Sequence, residues 1–162
     1  MKTKSFKLVM GALFAAVCFV LTAFVKVPVV IGYINLGDLA VMLGAVCLGP
    51  LWGALSGGLG SALADIMAGY AAYVPGTFII KFLVALIVGY TAKYTKKKMT
   101  GVALGSAIGE AVMVFGYFIY EALVLGLGMA ASAAVLFNVI QGAVCILLTL
   151  LAYAIIRKHK LF

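Results

Sequence analysis

The chain has 162 residues, of which 67% are hydrophobic and 10% charged, with a mean hydropathy of +1.28. A soluble domain is about half apolar and about a quarter charged, so this composition excludes one and marks an all-α integral membrane protein of a single domain. The net charge of +8, twelve bases against four acids, does not point to nucleic acid, because the bases stand at the ends of apolar runs, where they act as topology signals.

Lys2, Lys4 and Lys7 precede an apolar run from Leu8 to Val25. A signal peptide has a similar look, but this run is long, no clean A-x-A site follows, and membrane-like sequence continues; residues 8–25 are read as the first span. Ala12, Ala16 and Ala23 share one helical face with Ala15 beside it, and small residues on one face let another helix come close. Residues 26–37 form a loop punctuated by Pro28, Gly32, Asn35 and Gly37. The second span, 38–48, is short against the roughly twenty residues a crossing needs. Gly49-Pro50 then breaks the helix, and Pro50 suits the first turn of a third span over 50–68. Gly49, Gly53 and Gly57 repeat every four residues, a pattern for close helix packing.

A loop over 69–76 carries Tyr70, Tyr73 and Pro75, and the fourth span, 77–94, holds Lys81 near its start. A basic loop at 93–98 leads to the fifth span, 101–125, where Gly101, Gly105 and Gly109 repeat the four-residue spacing. Glu110, Tyr117 and Glu121 share a face of it, since seven and eleven residues are close to whole turns of 3.6. A link over 126–131 leads to the sixth span, 132–156, with Asn138, Gln141 and Cys145 on one face.

Six spans put both termini on one side. Ten of the twelve bases, including Lys160, then fall on that side, while Lys26 lies opposite and Lys81 lies within a span. The positive-inside rule makes the ten-base side cytoplasmic. Asp38, Asp65, Lys81, Glu121 and Asn138 consequently gather in the outer half of the membrane from five spans.

Ions in hydrocarbon are costly and face a cavity or each other, so the stretch from Gly32 to Lys81 predicts a pocket. The expected substrate-binding residues are Asn35, Asp38, Asp65, Tyr73, Lys81, Tyr117, Glu121, Asn138 and Gln141. Each has a structural alternative. Asp65 and Lys81 flank one loop, and a salt bridge between them would close the hairpin. Asp38 can cap the second span through backbone N–H groups. Asn35 can bond its own loop, and Asn138 and Gln141 can bond between helices. Glu121 can snorkel, and Glu110, deeper, can pair with an inner-loop base or stay neutral. Tyr70, Tyr73, Phe78, Tyr117 and Tyr120 can stack on a ring or form an interfacial belt. The cysteines Cys18, Cys47 and Cys145 lack metal-ligand spacing and read as packing residues; no metal and no cofactor is expected.

The segments GYINLGD and LGPLWGALSGGLGSALAD, with TFIIK ending at Lys81, resemble the substrate-binding S components of energy-coupling-factor (ECF) vitamin transporters, in the riboflavin-transporter-like group. The resemblance runs over residues 8 to 157 and is most specific over 32 to 81. It implies a six-helix bundle in a prokaryotic plasma membrane that captures a vitamin with high affinity outside the cell. It also implies a coupling membrane protein and two ATPases as partners, with Ala12, Ala15 and Ala16 as the contact surface. A compact heteroaromatic ligand, pyridoxine-type or hydroxymethylpyrimidine, suits the polar anchors; riboflavin stays open.

No G-x-x-x-x-G-K-[ST] loop occurs, so ATP hydrolysis falls to a partner. The one histidine, His159, lies in the basic tail without a nucleophile or metal partner, which argues against an enzyme. A stand-alone transporter or a channel is the alternative, although a channel needs polar groups along a continuous pore rather than gathered in one half.

Overall fold

A computed structural model describes residues 4–159; Lys2 and Lys160, two of the topology-setting bases, lie outside the described residues. Six α-helices follow one another: α1 (Lys4–Ala23), α2 (Gly37–Leu48), α3 (Pro50–Met67), α4 (Val74–Tyr94), α5 (Lys98–Ile119) and α6 (Ser132–Lys158). Among the described residues, four helical stretches are long and apolar enough to cross a membrane: Lys4–Ala23, Ala71–Tyr94, Lys98–Val124 and Gly128–Lys158. Their outer faces are apolar, as on α6, where Leu136, Val139, Ile140, Leu147 and Leu151 are exposed. A solvent of lipid tails leaves no reason to bury them.

The short α2 is the centre of the bundle. Its 12 residues span only about 18 Å at 1.5 Å per residue. It lies against α1, α3, α4 and α6, and Asp38, Val41 and Met42 on it are fully buried. Two glycines permit this position. Gly49, at φ +91°, takes a backbone conformation that penalises other residues, and it turns the chain from α2 into α3. Gly53, one turn into α3, meets the backbone of Ala45, leaving no room for a Cβ. The four-residue glycine spacing therefore marks contacts within the chain, between α3 and α2.

The first loop is more regular than its glycines and proline suggest. Strands β1 (Lys26–Pro28) and β2 (Tyr33–Asn35) pair antiparallel, with Lys26 opposite Asn35 and Pro28 opposite Tyr33. The fold is mostly helical as expected, and what changes is the first loop, which carries this small ribbon. Val27, Val29, Val30 and Ile31 favour extended backbone, and Gly32 at φ +72° makes the turn. Three further irregular pieces complete the same end of the bundle: 3₁₀ turns at Ala71–Tyr73 and Gly128–Ala131 and a π-helical turn at Tyr120–Val124.

Candidate ligand-binding site

The Gly37–Leu48 helix brings Asp38 into the bundle in its first turn, and α4 brings Lys81 to meet it. The Lys81 ammonium lies 2.6 Å from Asp38 Oδ1, and both residues are buried. Asp38 Oδ2 accepts a hydrogen bond from Gln141 Nε2 of α6 at 2.6 Å. Gln141 Oε1 in turn accepts from the Asn35 backbone N–H at 2.8 Å, and Asn35 Oδ1 accepts from the Gly37 N–H at 2.8 Å. One chain of bonds thus ties α4, α2, α6 and the ribbon together. The Lys81 ammonium also lies 5.2 Å from the centre of the Tyr117 ring, and the Tyr117 hydroxyl donates to Thr77 Oγ1 at 3.0 Å.

Two sequence expectations change here. The hairpin salt bridge between Asp65 and Lys81 does not form, because Lys81 faces the core and pairs with Asp38, while Asp65 faces the ribbon and accepts from the Tyr33 hydroxyl at 2.6 Å. Asp38 does not cap α2: the N-cap position is Leu36 without a side-chain cap bond, and both Asp38 oxygens are taken by Lys81 and Gln141. Asn35 does bond its own loop, through Gly37. Glu110 is buried with no hydrogen-bond partner at either oxygen among the described residues, and it packs against Gly142. No inner-loop base reaches it.

Above the ion pair a small cavity is lined by Asn35, Asp65, Tyr73, Lys81, Tyr117, Glu121, Asn138 and Gln141. Water-sized centres fit in about 40 Å³ of it, enough for a few waters when one needs roughly 10–15 Å³. Asp38 is not in the wall; it stands behind Lys81 and Gln141 and holds them. Sequence reasoning missed Thr22, Ser61, Thr77 and, above all, Tyr33, which also line the cavity. Tyr33 was hidden by the reading of its segment as irregular; the alternation Tyr33-Ile34-Asn35 was the available signal.

Three lining groups keep an oxygen without a hydrogen-bond partner among the described residues: Thr22 Oγ1, Asp65 Oδ2 and Glu121 Oε2. Glu121 Oε1 accepts from the Tyr73 hydroxyl at 3.3 Å. Buried polar atoms in folded proteins are nearly always paired, so these three oxygens are exceptions gathered in the cavity wall. At the mouth, Tyr33, Tyr70, Tyr73 and Tyr120 form a file of rings with centroids 5.2, 5.8 and 6.3 Å apart. The Tyr33 phenol is pushed above its ordinary range, first by burial and then by its bond to Asp65. It therefore stays a neutral donor. On the face of α1, Ala12 and Ala16 are exposed, whereas Ala15 is half-buried and its carbonyl faces Gly60 of α3.

A family model describing the ECF-type riboflavin transporter S component matches residues 2–158. The chain belongs to that family. ECF S components work with ECF transmembrane and ATPase modules and bind vitamins. A solved structure described as the S component of a bacterial ECF transporter has the same fold, with a TM-score of 0.73 over 97% of this chain and 98% of that one, at 21% identity. A Pyrococcus woesei protein, described as an uncharacterized protein in the gap 3′ region, is 47% identical over 64 residues, 38% of this chain. The matched part spans 43% of that protein's length.

Proposed function

We propose that the chain is the high-affinity substrate-capture subunit of an ECF-type, ATP-driven vitamin importer. Its ligand is a compact heteroaromatic vitamin or precursor, a pyridoxine-type vitamin or hydroxymethylpyrimidine. The observation that carries this reading is the convergence of thirteen polar or aromatic side chains, from α1, β2, α3, Tyr70 and the Ala71–Tyr73 turn, α4, α5, the π turn and α6, on one cavity. Lys81 and Gln141 offer donors to ring nitrogen or hydroxyl acceptors, Asp65 and Glu121 accept from ligand hydroxyl or amino groups, and the tyrosines cover the ring faces. Ligand sites are usually built this way, apolar or aromatic walls with a few placed polar groups.

In this reading all six helices cross the plasma membrane of a prokaryote, both termini are cytoplasmic, and the cavity opens outward. The coupling protein meets the exposed Ala12 and Ala16 of α1, and two partner ATPases supply the energy. Riboflavin is the second reading, favoured by the name of the matching family. The compact ligand is favoured by the many short polar anchors; the cavity, which holds a few waters as it stands, must open to admit either ligand. Calorimetry of the purified protein against pyridoxine, pyridoxal, hydroxymethylpyrimidine and riboflavin, without ATP, tests both. One-to-one binding of a single-ring ligand is expected; binding of riboflavin alone selects the second reading, and binding of none removes the capture role.

A further inference from the structure

At the opposite end of the bundle from the tyrosines, a second cavity of about 620 Å³ opens between the α2–α3 turn, the C-terminal ends of α4 and α6 and the start of α5. Its size falls in the range of roughly 300–1,000 Å³ typical of ligand pockets. Lys93, Lys98 and Arg157 line it, and no acid does. None of the three is in an ion pair, since Lys81–Asp38 is the salt bridge found among the described residues. Helix α5 starts at Lys98 without a side-chain cap, so its first N–H groups add to the positive field there. Tyr153 also lines this cavity and is only 7% exposed. The remaining wall is apolar, Val46 and Ile156 among it.

We propose that this cavity binds the phosphate of an anionic phospholipid headgroup, with the glycerol and upper acyl carbons against Val46 and Ile156. The chemistry is amphiphilic on both sides: cations and a buried phenol donor meet the phosphate, and an apolar wall meets the chain below it. Basic pockets between membrane helices recognise acidic headgroups in this manner. A soluble phosphate shares the charge but leaves the apolar wall unused.

The test uses the full-length protein in detergent, titrated with short-chain phosphatidylglycerol, short-chain phosphatidylcholine or inorganic phosphate, with bound molecules counted by native mass spectrometry. One saturable phosphatidylglycerol per chain is expected, with phosphatidylcholine at least about tenfold weaker. The double variant K93Q/K98Q should weaken phosphatidylglycerol at least roughly tenfold, and K96Q/K97Q less than about threefold, since it removes equal charge from the same loop outside the cavity. Tyr153→Phe keeps the packing and should cost a few-fold. If K93Q/K98Q does not fold, Arg157→Gln against Lys158→Gln gives the same comparison. Equal losses in the paired variants, or equal binding of the two lipids, overturn the proposal. Displacement of the lipid by equimolar inorganic phosphate overturns the lipid assignment and leaves a soluble anion as the occupant.

Discussion

Lys81 of α4 and Asp38 of α2, 43 residues apart in sequence, meet at 2.6 Å inside the bundle. Neither could be tolerated there alone: the desolvation of an unpaired ion costs several kcal/mol, and the pair together is near neutral in that balance. What the pair secures is position. Asp38 also holds Gln141, so one buried carboxylate aims two cavity donors.

Removing one partner should therefore be far worse than removing both. Lys81→Met or Asp38→Asn alone should destabilise by about 3–5 kcal/mol, while Lys26→Met, at the start of β1, should fall well below that. The double variant Asp38→Asn with Lys81→Met should lose clearly less than the sum. Thermal unfolding in detergent measures all four, and strict additivity would show that the two residues are uncoupled.

The Tyr33–Asp65 bond ties the ribbon to α3. Tyr33→Phe removes the bond to Asp65 Oδ1 and so leaves both oxygens of a buried carboxylate unpaired among the described residues, at roughly 1–3 kcal/mol for the bond lost. Asp65→Asn should lower ligand affinity more than Tyr33→Phe does, because both line the cavity but Asp65 brings a carboxylate oxygen with no partner among the described residues. Calorimetry on the two variants decides this; a larger loss for Tyr33→Phe would make the ring itself the contact.

The exposed alanine face of α1 predicts a separation of binding from transport. Ala16→Leu fills a surface that none of the described residues covers. It should keep vitamin affinity in detergent and lower ATP-dependent uptake in vesicles containing the full complex, by about tenfold if overpacking costs roughly 1–3 kcal/mol at the docking step. Affinity, melting temperature and uptake falling together would instead place this face inside the subunit's own packing.

Gly53 predicts the sharpest packing effect. A valine there would strike the Ala45 backbone, which cannot rotate away as a side chain can. Gly53→Val should lower the melting temperature strongly, whereas Leu55→Val, on an exposed position of the same helix, should change it little. Similar shifts for the two would show that α2 and α3 can slide apart.

The helical bundle was legible because apolar length and glycine punctuation are local signals: Gly49-Pro50 ends one helix and starts the next in sequence as in space. The cavity was legible because ions in apolar runs have few places to go, and Lys81, Asp65 and Glu121 gather there from separate helices. The pairing among them was not legible. Sequence spacing placed Asp65 and Lys81 at the same level, but which acid meets the lysine depends on α2 being inserted at the centre, a tertiary fact. The ribbon was missed because its Pro28 and Gly32 read as breakers, although one lies at a strand end and the other makes the turn.

The ribbon has a consequence for how long a captured molecule stays. Two three-residue strands are marginal on their own, and this pair is anchored through Tyr33 to Asp65 and through Asn35 to Gln141. Its order is borrowed from the pocket it covers. Such a segment melts locally at much lower free energy than the helices beneath it, so the residence time of an occupant is expected to follow the fraying of six residues rather than the stability of the bundle. Amide hydrogen exchange in the ribbon then becomes a clock for release.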